Sequence, residues 1–170
     1  MMASRRYFEC LVVTILAISC QALQSTGAVL PKPTHEVTDR AGILSVDEID
    51  RLTKDLRALE RAGLARAVIY IDSALPSGEV LEELTLRSAN AWDVGRKGLN
   101  DGVAIFVFVA DRKIRIEIAR GLEDAISNAK AKAIIDEKMT PAFRQGKYAE
   151  GLALAIREIR ALLHRSSHSS

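Results

Sequence analysis

The stretch from Leu99 to Val109 reads LNDGVAIFVFV. An amide, a carboxylate and a glycine (Asn100, Asp101 and Gly102) stand directly before seven uncharged, mostly large apolar residues, Val103 to Val109. A continuous apolar run of this kind predicts a central strand covered on both faces. The polar turn ahead of it then either starts the strand or is held by the strand at a working position.

Reading outward, Ala110 to Lys113 is turn-like, and Ile114-Arg115-Ile116-Glu117-Ile118 alternates as a hairpin partner with one polar face. Upstream, Asp93 to Asp101 is a glycine-punctuated loop, preceded by a helix predicted over 78–92 and a β-branched strand, RAVIYID, over 66–72. Earlier still, Ser45-Val46-Asp47-Glu48 forms a capping box. Ile49, Leu52, Leu56 and Leu59 follow at helical spacing until Gly63 supplies the stop. Downstream, a helix is predicted over 122–138. Thr140 and Pro141 interrupt it, and a last helix covers 148–163. Strands alternating with helices, plus one hairpin, predict a single α/β domain: a layered sandwich with a mixed β-sheet and helices on both faces.

The chain has 170 residues, 48% of them hydrophobic and 27% charged, enough for one self-sufficient core. Lys+Arg 24 against Asp+Glu 22 leaves +2, so no global field draws nucleic acid, and none is expected as a partner. Arg5 and Arg6 precede the uncharged run LVVTILAISC, and small residues follow, with Ala22 or Ala28 placed to precede a cut. Residues 1–28 thus read as a secretory signal peptide, too short for a comfortable membrane span. An uncleaved leader or a lipidated Cys20 would instead anchor the protein, although Ile18 makes a poor lipobox. Cys10 and Cys20 both lie in this leader, which leaves the mature domain, 29–164, without thiol chemistry. The tail 165–170 is expected to be disordered, and the product to be a periplasmic or secreted monomer.

His35, His164 and His168 are the only histidines and sit in the lead-in or near the C-terminus, which argues against a histidine base or a His-ligated zinc. No nucleophile elbow, zinc-protease motif or phosphate-binding glycine loop occurs. Oxygen chemistry remains: Asp39 in VTDRAGIL, Asp93 and Asp101 around the glycine loop, and Glu123 and Asp124 after Gly121. Carboxylates with an Asn amide are the ligand set of Ca²⁺ or Mg²⁺. On spacing alone the same residues better suit turns and caps: Asp39 capping a turn, Asp101 with Gly102 making a hairpin-type turn, Glu123 capping a helix. Arg96, Lys97 and Arg120 would hold a phosphate beside a metal, or form a solvated basic loop. Trp92 reads as a core anchor ahead of a binding platform.

The order of these segments resembles the TPM domain family over about residues 37 to 163. A leader is followed by VTDRAGILS, then AWDVGRKGLNDGVAIFVFVADRKIRIEIARGLED, then PAFRQGKYAEGLALAIREI. The resemblance implies an extracytoplasmic α/β sandwich with a twisted sheet. It also implies Ca²⁺ binding at an acidic cluster, acid-phosphatase-like activity, or service as an assembly or repair factor for membrane complexes. Carried over by position, Asp39 matches the Asp of the opening motif, Asn100 and Asp101 the turn before the strand, and Glu123 the Glu of G-L-E. Two departures lower the negative charge: Arg120 stands where the family often has an aromatic, and Asn128 where it often has an acid.

Two functions follow as expectations. One is a divalent-cation-binding accessory module, with Asp39, Asn100, Asp101, Glu123 and Asn128 as ligands, acting with a membrane-protein complex. The alternative is a metal-dependent phosphatase-like hydrolase. There Asp101 and Asp39 would be catalytic, and Arg96, Lys97 and Arg120 would bind the phosphate ester.

Overall fold

The computed structural model describes residues 27–167. Four strands form one sheet in the order β1-β2-β3-β4: β1 (Val37–Asp39), β2 (Arg66–Asp72), β3 (Gly102–Phe108) and β4 (Lys113–Ile118). The first three are parallel, and β4 runs antiparallel to β3 as its hairpin partner. The sheet is therefore mixed, as the sequence predicts.

All seven residues of β3 are buried, and their alternation divides the interior into two cores. Val103, Ile105 and Val107 join Ile69 and Ile71 of β2 beneath α1 (Val46–Arg61), α3 (Asn128–Ile134) and α5 (Tyr148–Ser167). Ala104, Phe106 and Phe108 face the other way, packing with Tyr70 against α2 (Leu81–Trp92) and the lead-in residue Leu30. A strand sandwiched like this has no polar face to offer, which is why its sequence carries no alternation. The links β1–α1–β2 and β2–α2–β3 step across the sheet in one direction but use opposite faces. They are therefore of opposite hand, so one departs from the right-handed rule for parallel crossovers.

Local signals match the observed boundaries where they carry a capping mechanism. Ser45 and Glu48 close the capping box at the start of α1, and the Ser45 N–H donates to Glu48 Oε2 at 2.8 Å. Helix α2 begins at Leu81, three residues later than the reading from Gly78, because Gly78 takes left-handed backbone (φ 82°) that cannot belong to the helix. The helix predicted over 122–138 begins only at Asn128, capped by Ser127, after the 3-10 turn Arg120–Leu122. A second difference concerns the predicted break at Thr140 and Pro141. A π turn over Ile135–Met139 links α3 directly to α4 (Thr140–Phe143), with Pro141 inside the continuous element. The Thr140 N–H donates to the Ile135 carbonyl, a five-residue closure, and Pro141 falls in the first turn of α4, where its missing donor is tolerated. Helix α5 runs on to Ser167, so Arg165 to Ser167 are helical, contrary to the disordered tail expected from 165. The proposed signal peptide, except for Gly27 and Ala28, and residues 168–170 lie outside the described residues.

Trp92 is a core anchor. It is buried, its ring stacks on Phe106 with centroids 5.1 Å apart, and its indole N–H donates to the Leu30 carbonyl at 3.0 Å. Leu30 also donates its own N–H to the buried Ser88 hydroxyl at 3.0 Å, which straps the lead-in across α2.

Tyr70 gives this second core a measurable signature. Burial first, and the neighbouring Asp72 carboxylate second, push its phenol up to about 12. The folded state thus holds the proton more tightly than the unfolded chain. The resulting stability is whole below the unfolded value of about 10 and is lost as pH rises through the folded one. Melting temperature followed from about pH 9 upward is expected to fall less steeply in Tyr70→Phe than in the parent. Identical slopes would show that Tyr70 ionisation does not limit alkaline stability.

Candidate functional site

The two ends of the sheet carry different chemistry. At the end where β3 begins, the loop from Asp93 to Asp101 folds under the strand. Asn100 takes the left-handed conformation (φ 50°), not the glycine that follows it. Gly102 is needed for closeness: a Cβ there would lie 1.8 Å from the Val94 carbonyl oxygen. Gly121 meets the same constraint from the other side, its Cβ position falling 2.4 Å from the Leu99 carbonyl oxygen. The Gly121 N–H donates to the Asn100 carbonyl at 2.9 Å, which joins the glycine loop to the segment after β4.

Asp101 sits beneath this junction, 4% exposed, as the only buried charged residue among those described. Its Oδ1 accepts the Arg96 backbone N–H at 2.6 Å, and its Oδ2 accepts the Arg96 Nε–H at 2.6 Å. The same guanidinium donates to the Gly63 carbonyl at 2.9 Å. Asp101 is therefore consumed in holding the loop, and Arg96 in neutralising Asp101.

Asp39 lies at the opposite end of the sheet. It pairs in register with Ile71, and Ile71 with Val107, six residues along β3 from Asp101. At about 3.3 Å per residue, the two aspartates are separated by about 20 Å along the strand direction. Asp39 is also committed: Oδ1 accepts the N–H groups of Ala41 (3.1 Å) and Gly42 (2.9 Å), and Oδ2 that of Leu44 (2.8 Å). This turn delivers Ser45 to the cap of α1, giving the segment VTDRAGILS a structural explanation. The expected convergence of Asp39 with Asp101 is not what the structure shows.

The remaining expected residues are surface groups. Lys97 and Asn100 are exposed on the glycine loop, and Arg120 and Glu123 on the short 3-10 turn after β4. Asn128 is an exposed residue opening α3, whose cap is Ser127. No group of three or more His, Cys, Asp or Glu suited to a metal occurs among the described residues. Asp39, at the far end of the sheet, is too distant from Asp101 to share one ion with it.

A site that the sequence reading missed lies at the carboxyl end of β3. A cavity of about 560 Å³ opens between the β3–β4 turn and the loop that joins α4 to α5. Ligands in open α/β sheets usually bind at this end of the strands. Its inner wall is apolar, with Val107, Ile114 and Phe143. Arg112, Lys113 and Arg144 stand exposed around the mouth, and Thr140 and Tyr148 add hydroxyls. No acidic residue lines it, and none of the three cations forms an ion pair among the described residues. Arg112 is held at φ 53°, left-handed backbone that favours glycine. The usable sequence signal was the pair DRK and PAFRQGKY, two segments that carry the family resemblance and here face one another.

These features define a small α/β sandwich domain whose central carboxylates are structural and whose open chemistry is cationic. The chain belongs to the TPM domain family, whose model matches residues 37–162. It is similar to the N-terminal domain of a protein from P. gingivalis, with 31% identity, a TM-score of 0.70, and coverage of 78% of this chain and 84% of that one. The fold is shared with the BA42 protein of the psychrophilic bacterium Bizionia argentinensis, at 19% identity and TM-score 0.61 over 74% of this chain and 84% of that one. It is shared also with the N-terminal domain of the cg2496 protein of Corynebacterium glutamicum, at 14% identity and TM-score 0.60 over 79% and 86%. No curated protein matches the chain significantly. No helix among the described residues is long and apolar enough to cross a membrane.

The Arg96–Asp101 pair yields a stability prediction. Arg96→Ala leaves a buried carboxylate uncompensated, a defect worth about 3–5 kcal/mol in a fully buried pair. Because the guanidinium is 34% exposed, the expected loss in urea denaturation is smaller, about 2–3 kcal/mol. A loss below about 0.5 kcal/mol would show that the pair does not hold the loop.

Proposed function

We propose that this TPM domain works outside the cytoplasm as a non-catalytic accessory module for membrane-protein complexes, and that it captures an anionic group in the cavity at the carboxyl end of β3. The leader-like residues 1–28 and the family resemblance support the location and the class of partner. The observation that carries the reading is the mouth formed by Arg112, Lys113 and Arg144, three cations without an acidic partner beside a preformed cavity. Unpaired guanidinium groups favour carboxylate or phosphate because their donors match two acceptor oxygens at once.

Turnover needs more than capture. A hydroxyl nucleophile such as Thr140 or Tyr148 requires a base within hydrogen-bond reach, and no His, Cys, Asp or Glu lines the cavity. The aspartates expected to supply metal-assisted attack are engaged elsewhere: Asp39 with backbone N–H groups, Asp101 with Arg96. Divalent-cation binding has no support from these two, and the proposal does without it.

The purified protein, incubated with p-nitrophenyl phosphate, is expected to release no nitrophenol above the buffer rate, with Ca²⁺, Mg²⁺ or chelator present. Inorganic phosphate is expected to raise its melting temperature, and Arg144→Gln to reduce that rise. Release that scales with protein concentration and disappears in Arg144→Gln would replace capture by hydrolysis.

A further inference from the structure

The proposed anion capture leaves open what the anion is attached to, and the shape of the cavity bears on that. A bare oxyanion needs only a shallow ring of donors. This cavity, at about 560 Å³, falls in the range of sites that enclose a whole small organic ligand. Its composition is also layered. Val107 is buried at the base, and Ile114 and Phe143 are half-buried. The Phe143 and Tyr148 rings lie 4.9 Å apart at 54° and together make an aromatic wall. The three cations are confined to the exposed mouth. An ion seated at that mouth would leave the apolar interior wet, whereas a purely apolar guest would leave three like charges facing each other without relief.

We infer that the cavity takes a small amphiphilic anion: a single carboxylate or phosphate head held by Arg112, Lys113 and Arg144, carried on an apolar body that fills the space against Val107, Ile114 and Phe143. The inference rests on the anion-capture reading and adds the body to the head. The charged groups near the mouth are consistent with it. Asp111, next to Arg112 in sequence, is exposed and has Oδ2 engaged by the Leu75 N–H at 2.6 Å, and Lys147 is held by Glu150 at 4.0 Å. Neither carboxylate lines the cavity. Arg112 holds left-handed backbone that a glycine would occupy without strain, which makes Arg112→Gly a variant that removes the charge without disturbing the turn.

Four probes separate the elements of the proposal in calorimetric titrations of the purified protein. Phenyl phosphate and 3-phenylpropionate carry the two heads on an aromatic body, inorganic phosphate is a head alone, and benzyl alcohol is a body alone. Both aromatic anions are expected to bind at least about tenfold more tightly than inorganic phosphate or benzyl alcohol. Arg144→Gln is expected to weaken both aromatic anions roughly tenfold at unchanged melting temperature, because Arg144 is exposed and unpaired. Arg112→Gly is the sharper variant: it should weaken the same anions while holding or raising the melting temperature, which a merely structural arginine would not do.

Inorganic phosphate binding as well as phenyl phosphate would overturn the amphiphile and leave anion capture standing. Benzyl alcohol binding as well as either aromatic anion, or no probe binding at all, would overturn both. Binding to phosphatidylglycerol vesicles with no response to the monomeric probes would make the cationic mouth a membrane contact and overturn the cavity proposal.

Discussion

A strand buried along all seven of its residues, as β3 is, has to be covered on two faces and paired on two edges before any of its contacts is favourable. That requirement organises the rest of the domain. It calls for helices above and below, a parallel neighbour on one side and a hairpin partner on the other. It also requires the two ends of the strand to be closed by groups that satisfy its first and last backbone atoms. At the leading end the Asp101 carbonyl accepts the Arg66 N–H at 3.0 Å and the Gly102 carbonyl accepts the Ala119 N–H at 2.9 Å. At the trailing end the Val109 and Ala110 N–H groups donate to Asp72 and Ser73. The Asp101 side chain belongs to this closure. It fixes the loop whose carbonyls and glycines seal the strand, and Arg96 supplies the charge that makes its burial tolerable.

Seen this way, the acidic residues divide by commitment. Asp39 shapes the turn into α1, Asp101 seals β3, Glu117 accepts from Thr85 across the second core at 2.6 Å, and Asp72 receives the Tyr70 hydroxyl at 3.2 Å. Their oxygens are already satisfied by donors of the chain itself, and a cation would have to displace those bonds to gain them. The basic residues at the carboxyl end of β3 have no such internal partners, so the groups left available to a ligand around that cavity are cationic.

How much of this could be read beforehand depends on how local each signal is. The capping box at Ser45 and Glu48, the apolar run of β3 and the alternation of β4 are carried by a few adjacent residues, and they placed the mixed sheet and its first helix correctly. Pro141 does not break the element, because a π turn over Ile135–Met139 restarts the helix and leaves the proline in the first turn of α4, a placement with no local signature. The pairing of Asp39 with Asp101 failed for a geometric reason: parallel register puts one at the end of its strand and the other at the start. The cavity is harder to read because its walls come from DRK and PAFRQGKY, segments some thirty residues apart whose facing one another has no local signature. Trp92 was legible, since a lone indole at helical spacing with Leu84 and Ser88 is most simply an anchor.

The stretch GVAIFVF has a further consequence that concerns the chain before it folds. Seven uncharged residues without proline, five of them β-branched or aromatic, make the kind of segment that stacks with copies of itself when exposed. Here it is bounded by Asn100 and Asp101 on one side and by Asp111, Arg112 and Lys113 on the other. Charges in these positions interrupt the register of a growing stack while remaining outside the strand once it is covered. The charged turn at the mouth of the most buried strand thus acts twice, as a gatekeeper of the unfolded chain and then, through Asp101, as the seal of the folded one.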